Sequence, residues 1–370
     1  MKKVMSLINK RLIYNSAIIL IISGVLFTFV NFLFVYYSPS IIKVLPSSVA
    51  RSILPCYRTL FHHDRESLNQ SNFIFGDSYS EGSGEEFLES DPAYGIFNKL
   101  SNAKTSELIF GRSGYGNIGT VFEFSQCFPL LSKYTSLPVE TIAVYDVTFV
   151  FYEGNDLNNN LLEKKQEGNH LKYKIRFFLP LFEYVYQESR LAIVSMIKKI
   201  RQPLVSSKNQ REAVFPVTSS GIEIPVYPQS AANELSEKEL QESISLLFTS
   251  LDSIKETLPL ARRYSFIYLP SVASSYNILG PLRVQSYKLG EYFESSKEFN
   301  VSRNRYLRKM IGNRVVALGW TFCDVTDKIL AVTEEGTAVH GPRDWKHFNK
   351  LGYEIVAQSY EGCIGSSVDQ

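Results

Sequence analysis

The chain has 370 residues, of which 45% are hydrophobic and 21% are charged, and its formal net charge is +2. This length and composition are typical of a folded protein with one large domain or two small ones. The near-neutral charge and the lack of a basic stripe argue against a nucleic-acid-binding protein. The sequence shows no cluster of metal-ligand residues, so we expect neither a metal nor another cofactor.

An uncharged apolar segment follows a short basic N-terminus. Residues 12–42 contain no acidic, basic or histidine side chain, and about 20 apolar residues suffice to cross a bilayer as an α-helix. Because four lysine and arginine residues precede the segment, we expect residues 1–11 to stay in the cytoplasm. We therefore predict a transmembrane helix at residues 12–42 in contact with the lipid bilayer, a linker at residues 43–70, and a periplasmic or extracellular remainder. A cleaved signal peptide is the alternative, although this apolar run is longer than a signal peptide needs.

Four cysteines would then lie in an oxidising compartment. They are Cys56, Cys127, Cys323 and Cys363, and no Cys-x-x-Cys pair is present, which argues against a zinc site. Four cysteines allow two disulfides in three different pairings, and the sequence does not choose among them. Free buried thiols are the alternative.

Strand and helix patterns alternate along the rest of the chain. Short apolar runs of β type occur at residues 72–78, 106–114, 140–156, 263–271 and 319–327. Helical patterns occur at about residues 91–102, 117–133, 235–257, 297–312 and 348–360. This alternation predicts an α/β fold with three layers, α/β/α, in which helices cover both faces of a parallel sheet. In such a sheet, ligands bind beyond the carboxyl ends of the strands.

One long stretch interrupts the alternation. Residues 157–234 lie between the third and fourth predicted strands, where a single crossover helix would be enough. We interpret this stretch as an insertion, with an aromatic and apolar part at residues 173–201. That part is either a lid or membrane-contacting surface, or an apolar face that packs on the main domain. We favour packing, because apolar periodicity usually marks a core.

The first predicted strand runs directly into Gly76, Asp77 and Ser78. Polar side chains at the end of a buried strand are costly unless they are hydrogen-bonded or used in chemistry. Near the C-terminus, Asp344 and His347 are three residues apart, so the carboxylate can fix the tautomer of the imidazole. A histidine so oriented can take the proton of a hydroxyl, and Ser78 is the candidate nucleophile. Taken alone, an Asp-x-x-His pair could equally be structural, and we expect Asp77 to anchor the turn.

Acyl transfer also needs hydrogen-bond donors for the oxygen that becomes negative. Gly114 offers a backbone N–H without a side chain in the way, and Asn155 offers a side-chain amide; both follow predicted strands. Gly111 and Gly116 compete with Gly114 for this role. Each of these residues could also be an ordinary turn residue.

These four blocks, in this order, resemble the pattern of the SGNH hydrolases, also called GDSL-type esterases. The blocks extend from Gly76 to His347 and include the Asn and Gly that continue the last block, at positions 349 and 352. The third block departs from the family pattern, because Glu153 stands where the family has a glycine. The resemblance implies a flavodoxin-like parallel sheet in a domain at residues 71–365. It also implies a serine nucleophile, its acid and base, and two oxyanion donors: Ser78, Asp344, His347, Gly114 and Asn155.

The expected function is that of a membrane-anchored serine ester hydrolase that forms an acyl-Ser78 intermediate. Its substrate is expected to be an ester of a small molecule or a glycan, such as an O-acetyl ester of an envelope or exported polysaccharide. One alternative is a carbohydrate O-acyltransferase with the same catalytic residues. The other is a catalytically silent binding or assembly protein of the envelope, which the intact Ser78, Asp344 and His347 disfavour. We expect His340 to be a surface or loop residue.

Overall fold

The structure is a computed structural model. It describes residues 70–80, 106–110, 114–135, 144–166, 216–287, 292–342 and 344–365, together with the isolated positions 23, 26, 29 and 30. The chain divides into two compact units, residues 1–57 with 169–209, and residues 58–168 with 210–370. Every described residue except the four isolated ones belongs to the second unit.

Several predictions fall outside the described residues. They concern the helix at 91–102, the aromatic part of the insertion at 173–201, and all but four positions of the proposed anchor at 12–42. Within the ranges that the structure describes, no helix is both long enough and apolar enough to cross a membrane.

Seven strands are described, and five of them form the central sheet. The strands are β1 (Gln70–Phe75), β2 (Ser106–Phe110), β3 (Val144–Tyr152), β4 (Arg263–Leu269), β5 (Leu282–Gln285), β6 (Tyr292–Ser295) and β7 (Thr321–Asp324). The sheet has the order β2-β1-β3-β4-β7, and all neighbouring strands are parallel. Numbered among themselves, the five strands follow the order 2-1-3-4-5 of flavodoxin-like folds. The predicted parallel sheet is confirmed, whereas the antiparallel hairpin of β5 and β6 was not predicted.

Eight helices are described along the same ranges. They are α1 (Asn117–Thr135), α2 (Asp156–Gln166), α3 (Ala231–Glu234), α4 (Glu237–Thr257), α5 (Val272–Ser275), α6 (Lys297–Ala317), α7 (Thr326–Glu334) and α8 (Lys350–Gly365). α1, α2 and α4 contact one another, and α8 contacts β4 and β7. α2 starts where the predicted insertion starts, so the first residues of that stretch form a regular helix that packs on the main fold.

The two faces of the sheet carry different side chains. Each of the five strands of the central sheet contributes one phenylalanine to a row in register across it: Phe110, Phe75, Phe149, Phe266 and Phe322. The row packs against Phe124 of α1, whose ring lies 5.1 Å from that of Phe75. The opposite face is mainly aliphatic, with Ile74, Val150 and Ile267 packed in one cluster with residues of α8. Because helices cover both faces, the strands read as continuous apolar runs.

A disulfide joins the last strand to the last helix. Cys323 of β7 and Cys363 of α8 are bonded, with their Cα atoms 5.9 Å apart, and Cys127 is also disulfide-bonded. The alternative of free buried thiols is therefore wrong for Cys323 and Cys363. Their bond closes a loop of 40 residues that contains the segment with Asp344 and His347.

Candidate active site

The candidate site lies at the carboxyl end of the sheet, where β1 and β3 are neighbours. The chain leaves β1 toward β2 on one side, while β3 lies on the other, so this is the topological switch point of the sheet. Residues 76–78 follow β1 and residues 153–156 follow β3. The residues after β1 and those after β3 therefore lie at the same edge of the sheet.

Gly76 allows the chain to turn sharply after β1. A Cβ atom at this position would lie 2.8 Å from the carbonyl oxygen of Val150 and 2.9 Å from the Cβ of Ser80. Its N–H still donates to the carbonyl of Phe110 at 3.2 Å. Only glycine fits this close approach, which brings Ser78 to the edge of the sheet.

Asp77 holds the turn, as expected from the sequence. Its Oδ1 accepts the backbone N–H of Tyr79 at 2.9 Å, and its carbonyl accepts the hydroxyl of Ser80 at 2.7 Å. Ser80, a second hydroxyl in the same turn, is thereby engaged in holding the backbone. Asp77 is almost fully buried, with 1% of its surface exposed, and burial raises the pKa of its carboxyl group.

Ser78, His347 and Asp344 form a continuous chain of hydrogen bonds. Ser78 Oγ lies 2.9 Å from His347 Nε2, and His347 Nδ1 lies 2.6 Å from Asp344 Oδ2. Burial alone would raise the pKa of Asp344, but hydrogen bonds from His347 and the backbone N–H of Lys346 outweigh it, and the pKa is lowered. Because Asp344 is therefore ionised and can only accept, Nδ1 carries the ring hydrogen and Nε2 is left to accept the hydroxyl of Ser78.

Tyr79 connects the serine turn to the histidine loop. Its hydroxyl donates to the carbonyl of Lys346 at 2.6 Å, next to His347 in the chain. Its ring lies 4.2 Å from the ring of Tyr152 and 5.1 Å from that of His347, measured between centroids. Burial raises the pKa of Tyr152 well above its usual value. The side chain after the nucleophile thus fixes the loop that carries the imidazole.

His340 is buried, which corrects the expectation that it is a surface or loop residue. Its Nδ1 lies 3.1 Å from the hydroxyl of Tyr276, and its ring packs 4.7 Å from that of Phe348. The same tyrosine hydroxyl accepts the backbone N–H groups of Val339 and His340. Burial lowers the pKa of His340 to about 3, so this histidine is neutral in the physiological range and supports the start of the loop.

A cavity of about 190 Å³ brings the predicted residues together. Ser78, Gly114, Asn155 and His347 all line it, whereas Asp344 lies behind His347 and does not. Asn155 Oδ1 is buried and has no hydrogen-bond partner, which is unusual for a buried polar atom. The side chain of Asn155 thus lines the cavity with an unpaired carbonyl oxygen, and its Nδ2 group is the part of the amide that can donate to an oxyanion.

The competing glycines have different positions. Gly111 lies outside the described residues, and the N–H of Gly116 donates to Glu163 at 2.7 Å. Glu163 also accepts the N–H of Gly119 at 3.0 Å, so a carboxylate from α2 satisfies the N-terminus of α1. Gly114 lines the cavity instead. No local sequence pattern marks Glu163, because its partners are backbone groups more than 40 residues away.

Glu153 is held in place by several hydrogen-bond donors. Its side chain is fully buried and accepts hydrogen bonds from the N–H of Ser271 at 2.9 Å, Ser274 Oγ at 3.1 Å and Asn304 Nδ2 at 2.6 Å. Burial raises the pKa of Glu153, and these donors oppose that rise. Glu153 thereby ties the loop that carries Asn155 to the end of β4 and to α6.

The glycine of this block is shifted by one position, to Gly154. A Cβ atom there would lie 2.3 Å from the ring of Tyr152, so no larger residue fits against that ring. The close approach packs the loop of Asn155 onto Tyr152 and places both residues at the cavity.

The outer wall of the cavity was not predicted. Residues 226–229 and Gln285, at the end of β5, line it together with Trp345. Within this wall, the ring of Tyr227 lies 4.7 Å from that of Tyr292. The wall combines the end of the predicted insertion with the hairpin of β5 and β6, neither of which carries a recognisable motif.

No protein-family model matches the chain, and no curated protein sequence matches it significantly. Among solved structures, an extracellular lipase from Streptomyces rimosus is similar at 14% identity and a TM-score of 0.36, covering 80% of this chain and 99% of that one. A variant of an acetyl-xylooligosaccharide esterase from Geobacillus stearothermophilus is similar at 12% identity and 0.34, covering 80% and 94%. An alpha/beta hydrolase enzyme from the metagenome of Lake Arreo, Spain, is similar at 11% and 0.33, covering 80% and 94%. At these identities and scores the likenesses say nothing about the reaction, which has to be argued from the site.

Proposed function

We propose that the protein is a serine ester hydrolase that works through an acyl-Ser78 intermediate. The observation that carries this proposal is the hydrogen-bonded chain from Ser78 to His347 to Asp344, at 2.9 and 2.6 Å. Its nucleophilic end faces a cavity that Gly114 and Asn155 also line. The resemblance of the four sequence blocks to SGNH hydrolases points to the same reaction.

The proposed mechanism begins with attack of Ser78 Oγ on the ester carbonyl. His347 Nε2 takes the hydroxyl proton, and Asp344 stabilises the imidazolium that forms. The N–H groups of Ser78 and Gly114 and the amide of Asn155 donate to the tetrahedral oxyanion. His347 then gives its proton to the leaving alcohol. A water molecule, deprotonated by His347, attacks the acyl-enzyme and releases the acid and free Ser78.

The proposed substrate is a short-chain ester of a glycan, in particular an O-acetyl ester of an envelope or exported polysaccharide. A cavity of about 190 Å³ is small compared with the roughly 300–1,000 Å³ of drug-sized sites, which suits an acetyl group. Tyr227 and Trp345 in its wall offer flat apolar surfaces, which suit the face of a sugar ring.

We further propose that a transmembrane helix at residues 12–42 anchors the enzyme, with its catalytic domain outside the cytoplasm. The support is the uncharged segment, the exposed apolar side chains of Leu26, Phe29 and Val30 in a helix, and the Cys323–Cys363 disulfide. A disulfide is typical of an oxidising compartment. The full chain should remain in the membrane fraction after a carbonate wash; a mature form lacking residues 1–42 would show a cleaved signal peptide instead.

The function is tested by measuring acetate release from acetylated glycans and short-chain aryl esters. The wild type should release acetate and Ser78→Ala should not, while a control substitution far from the site, Asp146→Asn, should retain the activity. Transfer of the acetyl group to an added sugar in place of release would identify an O-acyltransferase. If no ester is consumed, the protein is better explained as a silent binding protein of the envelope.

A further inference from the structure

Two buried carboxyl groups meet beneath the nucleophile. Asp77 follows β1 and Asp156 begins α2, just beyond β3, and each exposes only 1% of its surface. The two carboxyl groups are neighbours, and the negative charge of Asp77 raises the pKa of Asp156. In the described part of the chain, neither carboxyl group forms an ion pair with a lysine or arginine, so no such cation offsets their charge.

The hydrogen-bond partners show where a proton has to be. Asp77 Oδ1 accepts the N–H of Tyr79 at 2.9 Å, and Asp156 Oδ2 accepts the N–H of Tyr152 at 2.9 Å. Asp156 Oδ1 is buried and has no donor. Two carboxylates in contact cannot both be ionised in a buried site, and a hydrogen bond between them requires one to be protonated. Oδ1 of Asp156 is the oxygen left to carry that proton.

We propose that Asp77 and Asp156 share one proton, and that this carboxyl–carboxylate hydrogen bond positions the nucleophile turn against the oxyanion loop. Asp77 is the neighbour of Ser78, and Asp156 is the neighbour of Asn155. One hydrogen bond thus links the two loops whose spacing determines whether the attacking oxygen and the oxyanion donor reach the same carbonyl group. This role rests on the proposed function, whereas the shared proton itself does not.

The surroundings of the pair keep the proton in place. Burial and the nearby charge of Asp77 both raise the pKa of Asp156, well above its usual value, and Glu163 adds to the effect. The pair also faces His347, the hydroxyls of Tyr79 and Tyr152, and Tyr287. Loss of the shared proton would put two negative charges in contact, with Asp77 Oδ2 only 3.3 Å from Ser78 Oγ. The proton therefore protects the geometry of the nucleophile.

Infrared difference spectroscopy tests the shared proton without any turnover. The wild-type spectrum minus the Asp156→Asn spectrum, both of full-length protein at neutral pH, should contain the carbonyl stretch of a protonated carboxylic acid in a dry environment. Buried Glu153, whose pKa is also raised, is present in both proteins and cancels in the difference. Glu163 is the matched control, since both of its oxygens accept backbone N–H groups; Glu163→Gln should leave the band unchanged. A difference spectrum without this band overturns the proposal.

The pH dependence of unfolding is a second test of the bound proton. A contact that binds no proton would not make the stability depend on pH in this way. The folded chain keeps the Asp156 proton above pH ~4, where the unfolded chain has lost it. The folded-to-unfolded ratio of the wild type, relative to that of Asp156→Asn, should therefore fall about tenfold per pH unit above pH ~4, until the folded pKa is reached. A ratio that does not change with pH contradicts a bound proton.

Activity then separates the positioning role from the shared proton. The amide of Asp156→Asn can still donate to Asp77, so this variant should retain far more activity than Asp156→Ala. Asp156→Ala leaves the Asp77 charge buried without its donor, and kcat should fall by about 10- to 100-fold with little change in KM. Equal losses in both variants overturn the positioning role. A positive infrared result in a protein that cleaves no ester refutes the proposed function and leaves the shared proton standing.

Discussion

The two ends of β3 handle buried acidic side chains in opposite ways. Near the start of the strand, Asp146 is bonded to Arg262 and Arg263, each through an N–O distance of 2.7 Å. Just beyond the other end, Glu153 and Asp156 are buried and accept hydrogen bonds from neutral groups. The arginines lower the pKa of Asp146 despite its burial, whereas burial raises the pKa values of Glu153 and Asp156.

Under the proposed function, this difference separates an end of the sheet that contributes stability from an end that carries the chemistry. A charge paired with arginines at the partly exposed end holds strands together without affecting a reaction. Buried carboxyl groups without a cation destabilise the fold, and groups with perturbed pKa values cluster at functional sites. Glu153 and Asp156 also bring no positive charge close to Ser78 and His347. Substitutions at the two ends should therefore differ in kind, with losses of activity at one and losses of stability at the other.

The largest expected effect is at the carboxyl end of β1. Ser78→Ala should reduce kcat/KM for a short-chain ester by about 10⁶-fold, because the nucleophile and its base act as one unit. His347→Ala should cost a similar factor, and the double variant should lose little more than either single one. Steady-state kinetics with the three variants check this. Losses that multiply in the double variant would mean that the two residues act independently.

Asp344→Asn should have the next largest effect, a loss of roughly 10⁴-fold in kcat. The asparagine keeps the size of the side chain but no longer selects the tautomer that leaves Nε2 free to accept. Because the wild-type carboxyl group has a lowered pKa, the wild type should keep an ionised Asp344 at all pH values above the ordinary carboxyl range. A variant with near-wild-type turnover would show that another group orients His347.

Asn155→Ala should reduce kcat by roughly 10²–10³-fold, with KM nearly unchanged, if its amide donates to the oxyanion. The matched control is Asn158→Ala on the neighbouring helix, whose amide donates to Glu234 at 2.8 Å and does not line the cavity. That control should affect stability more than turnover. A change in KM alone for Asn155→Ala would assign it to substrate binding instead.

Tyr79→Phe should produce a smaller loss, about tenfold in kcat. The ring still packs between Tyr152 and His347, but the hydrogen bond to the carbonyl of Lys346 is lost, and one buried hydrogen bond is worth about 1 kcal/mol. Kinetics and the melting temperature should be measured together. A drop in melting temperature with unchanged kcat would mean that the tyrosine holds the core and not the histidine loop.

The smallest effect on activity is expected at the opposite end of β3. Asp146→Asn should leave kcat/KM unchanged while it lowers the free energy of unfolding by about 1–3 kcal/mol at neutral pH, because two arginines lose a charged partner. The pKa of Asp146 is lowered in the folded state, so its contribution is present above pH ~4 and disappears as the pH falls through the folded pKa. Denaturant titrations at several pH values check this; a difference that persists at low pH would contradict the ion pair.

The sequence predicted the elements that carry local patterns. The five sheet strands and the helices α1, α4, α6 and α8 follow apolar periodicity and are confirmed within a few residues. Local patterns also identified the motif residues Ser78, Asp344 and His347. Each of these sequence blocks is short and can be recognised without the rest of the chain. The position of the motif at the switch point between β1 and β3 comes from the observed strand order.

The supporting contacts could not be predicted, because they join distant segments. Glu163 satisfies backbone groups of α1, Glu153 binds residues from β4 and α6, and His340 is buried by Tyr276. None of these residues differs in its local pattern from an exposed acid or histidine. The hairpin of β5 and β6 has strands of only four residues each, too short for an alternating pattern to stand out.

Labelling with a fluorophosphonate tests the central claim most directly, because the probe reacts only with a serine that a base has activated. Peptide mass spectrometry of the labelled full-length wild type should place a single adduct on Ser78. Asp146→Asn should label equally well, and Ser78→Ala and His347→Ala should not label. An unlabelled wild type, or an adduct on Ser80 in the same turn, would contradict the proposal that Ser78 is the nucleophile of an ester hydrolase.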